Sequence, residues 1–361
     1  MACRRAQSSM TRGPFVKQEA SAAKKYNDEC AVAALSGGTT TTDECAEDAG
    51  HAPGAPCSEG RVRKAIVEFG AEAPPALLLA EAPPGLLPTE NSVDAEAVRR
   101  AAAKLNCSSE SCIVAHPQLL EFVISRKLAT ERELQLELEL RFKERGPRNS
   151  LALLSNFNID GTLRRWARVF PEFFPCPFAM MDFDSNGDYF GDADFPAILE
   201  GRADADLGPG IGRVRRPFTC FGCVVNTDTS RGPGKHWVAV FVDCRPPPGE
   251  PWTVEYFNST GRPPPRPMPQ WMERTRARLA EYRGDAFCKR RTGAGERAAC
   301  DVVSVPVTDI DHQESQTECG LYALFYIRRR LEGVPYQFFT RQFVPDDAMT
   351  EFRQHVFASY S

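Results

Sequence analysis

Residues 316–330 read QTECGLYALFYIRRR. The stretch passes from polar loop to apolar helix at Cys319. Leu321, Tyr322, Leu324, Phe325 and Ile327 follow. Arg328 to Arg330 and then Gly333 supply the charge bias and stop signal of a helix C-terminus. A cysteine at the start of a helix sits beside unpaired backbone N–H groups and the positive dipole end, which favours the thiolate. Taken alone, the pattern also fits a buried helix that carries an inert thiol. What lies upstream decides between the two.

Residues 234–243 read GKHWVAVFVD. His236 opens a valine-rich run with the pattern of a buried strand. A Pro-rich turn follows, and residues 252–261, WTVEYFNSTG, read as a second strand that ends at Asn258. If the two strands are antiparallel neighbours, the start of the first lies beside the end of the second, and His236 meets Asn258. A thiol nucleophile needs a base, and the base needs an orienting group on its far nitrogen. Cys319, His236 and Asn258 supply one of each. His312, on the loop just before Cys319, is the rival base.

The order His-Trp, then Asn at a strand end, then Gln-x-x-Cys-Gly resembles the cysteine proteases of the ubiquitin-like-protein (SUMO) protease superfamily, which includes adenovirus-type proteases. The resemblance is closer to the polyprotein-processing proteases of large DNA viruses of asfarvirus and mimivirus type. It is carried by SNFNIDGTLRRW (155–166), PCPFAMMDFD (175–184), the FGCVVNTD and GKHWVAVFVD segments, EYFNSTG (255–261), QTECGLYALFYI (316–327) and FVPDDAMTEFRQHVF (343–357). It spans about residues 90–361. Asn258 stands where SUMO proteases carry Asp, which fits the asfarvirus-like branch. The resemblance implies an α+β fold: a papain-like, SUMO-protease-like core with a mixed central sheet flanked by helices, preceded by an N-terminal helical arm. It also implies that Gln316 joins the backbone N–H of Cys319 in binding the oxyanion. Trp237 then walls the catalytic pair, Gly320 keeps the oxyanion site uncrowded, and Asn156 and Asn158 contact substrate. No metal or other cofactor is required.

The chain has 361 residues and a net charge of −4. That length accommodates one catalytic domain and an accessory segment, and the charge demands no nucleic acid. No run approaches the roughly 18 apolar residues of a membrane span. Three regions follow. Residues 1–88, rich in Ala, Gly, Thr, Pro and Glu, are expected to be largely disordered, with a short helix near 62–70. Residues 89–148 form the helical arm: Ser92 caps one helix, His116-Pro117 opens another, and Thr130 with Glu133 makes a capping box for a third. The alternating leucines at 134, 136, 138 and 140 also admit a strand there. Residues 149–361 form the protease core, with Asp160 as N-cap of its first helix, 177–185 and 219–226 as strands, and 302–308 as a further strand. The thirteen cysteines show no regular framework, so mostly buried thiols and no obligatory disulfide are expected; Cys107 and Cys112 flank what reads as a packed turn, with a disulfide or metal role as the alternative. The Cys220-x-x-Cys223 pair falls within a strand and points to opposite faces, which disfavours joint metal ligation.

The resemblance implies cleavage after small, Gly-Gly-type sites in viral core or capsid polyproteins during virion maturation, in the virion and in the viral factory of the host cytoplasm. The arm implies contacts with a core shell or scaffold. Gly37-Gly38-Thr39 is a candidate self-cleavage site. Three other readings stay open: removal of ubiquitin-like modifiers, acetyl transfer by the same Cys-His pair, and a catalytically silent virion scaffold.

Overall fold

The computed structural model describes residues 45, 55–72, 92–107, 109–147, 152–208, 212–247, 249–284 and 301–358. Gly37-Gly38-Thr39, and most of the segment expected to be disordered, lie outside these residues.

Five helices build the arm: α1 (Gly60–Ala71), α2 (Val93–Leu105), α3 (Glu110–Val114), α4 (Pro117–Ser125) and α5 (Glu131–Arg141). Ser92 caps α2 and the Thr130–Glu133 box caps α5, so the leucines from 134 onward are helical. Helix α1 packs against α2 so closely that a Cβ on Gly70 would overlap the carbonyl of Ala97. The arm therefore starts earlier than residue 89. Cys45, Cys57, Val62, Ile66 and Phe69 belong to its core, which could not close without the apolar face of α1. Two disulfides, Cys45–Cys57 and Cys107–Cys112, pin the arm. This corrects the expectation of no obligatory disulfide, and at 107–112 it favours the disulfide alternative over the packed turn. The carboxylate of Glu110, buried under these bridges, accepts from the backbone N–H of Cys57 at 2.8 Å and of Ser58 at 2.9 Å.

Arm meets core through a short parallel pair, β1 (Glu144–Arg145) with β10 (Phe357–Ala358) at the far end of the chain. The core begins with α6 (Asn156–Val169). Its N-cap is Ser155, which forms a reciprocal capping box with Asn158; Asp160 is not the cap. The Asp160 carboxylate instead accepts from the N–H of Phe178 at 2.7 Å. The strands that follow are β2 (Phe173–Pro175), β3 (Ala179–Met180), β4 (Ala205–Asp206), β5 (Arg213–Val214), β6 (Cys220–Asn226), β7 (Trp237–Asp243), β8 (Trp252–Phe257) and β9 (Val302–Val307). The strand expected over 177–185 shrinks to the two residues of β3: Pro177 lacks a ladder donor, and the chain turns into α7 (Phe183–Asn186), with α8 (Phe195–Leu199) after it.

The central sheet runs β2-β6-β7-β8-β9, with β3 also on β6. Pairs β6-β7 and β7-β8 are antiparallel; β2 and β3 with β6, and β8 with β9, are parallel. This is the mixed sheet flanked by helices read from the sequence. Strands β6, β7 and β8 are buried along their whole length, because a helix covers each face. On one face lies α9 (Met268–Arg283), whose Trp271 stacks on Phe190. On the other lies α10 (Cys319–Leu331), with α11 (Asp346–Val356) packed against it. Gly222 is needed beneath α10: a Cβ there would come 2.8 Å from the Phe173 ring and 3.2 Å from Ile327.

Candidate active site

The register of β7 on β8 pairs Ala239 with Phe257. Asn258, just past the end of β8, therefore falls next to the start of β7. The loop that delivers His236 is closed by Asn226, whose carboxamide oxygen accepts from the N–H groups of Asp228 and Lys235, both at 3.0 Å. His236 Nε2 lies 2.8 Å from Asn258 Oδ1. The orientation of that carboxamide is fixed by its surroundings. Its Nδ2 donates to the carbonyl of Arg262 at 3.1 Å, and its Oδ1 accepts from Thr260 N–H at 3.1 Å. Nε2 must then be the donor, which leaves the lone pair on Nδ1.

Cys319 is the first residue of α10 and is 3% exposed. The sulfur faces the backbone N–H groups of Trp237, Gly320 and Cys319 itself. Trp237 directly follows His236, so that contact brings nucleophile and histidine strand together. Burial pushes the Cys319 thiol up, and the three N–H groups offset this only in part. The helix-terminus argument thus has the right sign but is outweighed by desolvation. Burial also lowers the His236 imidazole; the bond to Asn258 opposes this and the charge of Arg262 adds to it. Both shifts favour the uncharged forms of thiol and imidazole.

Long-range contacts that the sequence reading did not find hold the nucleophile loop. The Ser259 carbonyl, one residue past Asn258, accepts from His312 and Gln313 N–H at 2.7 and 3.0 Å. Asp346 accepts from Ser315 N–H at 2.7 Å and from the Tyr322 hydroxyl at 3.0 Å. Glu318, immediately before Cys319, is buried and paired with Arg353 at 3.1 Å. Only the neighbouring acidic and basic residue types hinted at these partners; no local spacing encodes them.

The other site candidates separate as follows. Gln316 is exposed on the loop three residues before Cys319, and its side chain has no hydrogen-bond partner among the described residues, which leaves it free to turn toward an oxyanion. Trp237 is buried, with Phe178 edge-on to its ring. Gly320 is wedged in: a Cβ would stand 3.1 Å from Leu154 and 3.3 Å from the Trp237 ring. Asn156 and Asn158 do not precede the helix but form its first turn, and the Asn158 carboxamide is taken up by the capping box with Ser155. His312 is 1% exposed, with Nε2 on the Phe339 carbonyl and Nδ1 accepting from Val344 N–H. Both its nitrogens are occupied away from the sulfur, which removes it as a rival base. The thiols of Cys220 and Cys223 donate to different carbonyls, of Glu172 and Pro177.

Residues 224–361 match the Ulp1 protease family, C-terminal catalytic domain. A cysteine protease of African swine fever virus is 45% identical over 254 residues, which are 70% of this chain and 84% of the viral protein. Its counterpart from another isolate, named a SUMO-1 cysteine protease, is 44% identical over 254 residues, again 70% and 84% of the two chains. The crystal structure of the African swine fever virus protease aligns with a TM-score of 0.68 and 36% identity, covering 89% of this chain and 98% of that one. Fold and sequence identity agree: this chain belongs to the Ulp1-type cysteine proteases, in the group of the African swine fever virus enzyme.

Proposed function

We propose that the chain is an endopeptidase that uses Cys319 as nucleophile, His236 as base and acid, and Asn258 as orienting group. Its substrates are viral core or capsid polyproteins, cut after small residues of Gly-Gly type during virion maturation, in the virion and the viral factory of the host cytoplasm. The observation that carries the assignment of roles is the His236–Asn258 hydrogen bond, set beside a sulfur that faces the amide of Trp237. His236 Nδ1 takes the thiol proton as sulfur attacks the peptide carbonyl. The C–N bond then breaks, and the imidazolium passes that proton to the leaving amine. Water, deprotonated by the same imidazole, hydrolyses the thioester and restores the thiol. The N–H of Cys319 and the carboxamide of Gln316 hold the oxyanion, each good donor contributing roughly 3 kcal/mol.

The test is turnover of Gly-Gly-X and Ala-Gly-X peptides by the full chain, alongside ubiquitin- and SUMO-derived suicide probes. Peptide cleavage with slow probe reaction supports the polyprotein reading. Fast probe reaction with no peptide cleavage replaces it with modifier removal, the activity in the name of the SUMO-1 cysteine protease relative.

The lowered His236 imidazole predicts a pH effect. If His236 must be neutral to act, the acid limb of kcat/KM follows its lowered pKa. Asn258→Asp places a carboxylate at Nε2, favours the imidazolium and raises that pKa. The acid limb should therefore move to higher pH. An acid limb that stays in place or moves to lower pH would contradict the role of His236 as the titrating base.

A further inference from the structure

Arg262 follows Asn258 by four residues, and its main chain belongs to the support of the catalytic pair. Its carbonyl accepts from Asn258 Nδ2 at 3.1 Å, and the same carboxamide lies 2.8 Å from His236 Nε2. The chain on either side is stiff. Thr260 bridges to Asp311, and Gly261, at φ +65°, lies so close that a Cβ there would stand 3.3 Å from the main chain of Ile310 and Asp311. Pro263, Pro264 and Pro265 follow, each with φ set by its ring. The side chain of Arg262 is in the opposite condition. It is exposed, and its guanidinium makes no hydrogen bond or ion pair with a described residue. Lys235, the residue before His236, is by contrast paired with Asp228 at 2.9 Å. The charge of Arg262 is still near enough to the His236 ring to act against its protonation.

We infer that Arg262 pairs with an acidic side chain of the substrate in the segment downstream of the scissile bond, and so gives the enzyme a preference for Asp or Glu there. The inference rests on the protease reading and deepens it with a substrate preference. Two arguments carry it. A cation whose root is tied to the orienting group, and whose head has no partner, opposes the imidazolium that catalysis must form. A carboxylate brought by the substrate offsets that opposition at the moment the ring takes its proton. The side of the substrate follows from the chemistry. His236 passes its proton to the leaving amine, so the ring borders the segment that leaves, and Arg262 stands at the edge of the ring held by Asn258.

The experiment uses the full chain and a Gly-Gly-X peptide that carries Glu or Gln in turn at each of the first four downstream positions. The readout is the ratio of kcat/KM for the Glu peptide to that for the Gln peptide. At one of these positions the ratio is expected to be about fivefold at low salt, the effect of one partly exposed ion pair. It should fall toward one at about 0.5 M salt, where charges are screened over a few ångströms. Arg262→Ala should bring the ratio to about one, and Arg262→Glu should invert it. Both peptides meet the same enzyme, so a general loss of activity in a variant cancels from the ratio. Ratios within about 1.5-fold of one at all four positions, or a Glu preference that survives Arg262→Ala, overturn the inference. If wild type cleaves none of the peptides, the same ratio is taken from Kd on Cys319→Ala by fluorescence anisotropy. Tighter binding of a Glu peptide that is lost on adding Arg262→Ala keeps the recognition while the protease reading falls. Equal or undetectable binding of both peptides overturns the recognition, and cleavage without a Glu preference leaves the protease and removes the role of Arg262.

Discussion

Cys319→Ala is expected to lower kcat/KM on a cleavable peptide by about four orders of magnitude or more, and to leave the thermal transition within a few degrees of wild type. The two halves have separate causes. In the proposed mechanism the Cys319 thiol forms the bond to carbon, and no other described free thiol has its setting. Cys220, Cys223 and Cys244 are buried in the core, and burial pushes each thiol well above the ordinary range. None of them starts a helix. Cys319 also carries a penalty from burial, but three backbone N–H groups face its sulfur, and substrate binding will bring its base into use. Stability changes little because alanine is a better helix former than cysteine, and because a poorly solvated polar atom is removed along with its packing. Retained turnover in Cys319→Ala, or equal iodoacetamide labelling of Cys220 and Cys319, would remove Cys319 from its role. His236→Ala should be nearly as severe. Asn258→Ala should be milder, roughly a hundredfold, since the ring keeps its base and loses only its orientation.

The parts of this site that could be read from sequence are those with a local signature. Cys319 stands where polar loop becomes apolar helix. His236 and Asn258 stand at the ends of two valine- and aromatic-rich strands whose only simple pairing joins them. The parts that could not be read depend on distance. Arg353 reaches Glu318 across 35 residues and Asp346 reaches Ser315 across 31; neither has a spacing rule. Asp160 looked like an N-cap because aspartate is a good one, yet the Ser155–Asn158 box five residues earlier satisfies the helix start. Asp160 is then left to hold the Phe178 turn. The thiol's acidity shows the same limit. Position at a helix terminus predicts a downward shift, but the depth of burial, set by Leu154, Trp237 and the sheet, reverses the net direction. The Cys107–Cys112 bridge spans five residues and was open to a local reading, whereas Cys45–Cys57 spans 12 and carries no local signature.

Arg330→Ala should destabilise the fold by about 3–5 kcal/mol, roughly 10 °C in Tm, while changing kcat/KM at room temperature only a few-fold. Arg330 is 6% exposed as a whole, yet it holds two carboxylates. Its Nε and Nη2 lie 2.8 Å from the two oxygens of Glu255 on β8, and Nη2 lies 2.9 Å from Asp243 on β7. Its Nη1 donates to the Val334 carbonyl at 2.7 Å. Tyr326, one turn earlier on α10, adds a hydroxyl to Glu255 at 2.7 Å. Removing the guanidinium strands Glu255 in the core, while Asp243 keeps Arg245 at 2.8 Å. The loss is therefore mostly the cost of an unpaired buried charge. That cost can be relieved: Arg330→Met combined with Glu255→Gln should recover a large part of it, and Arg330→Lys should not, because an ammonium cannot span both carboxylates. The pH dependence has a definite sign. Burial raises the Asp243 carboxyl, but Arg245 and Arg330 outweigh it and hold the carboxyl below its ordinary value. A depressed carboxylate contributes stability that is full above its unfolded pKa and is lost as pH falls through the folded one. The wild-type advantage over Arg330→Ala should accordingly shrink in acid, and a Tm difference that widens there would contradict the assignment. Activity is spared because Arg330 lies eleven residues along α10 from Cys319, about 16 Å by helix rise. The same helix thus has its start committed to chemistry and its end to locking two strands of the sheet, and the two variants should separate these tasks.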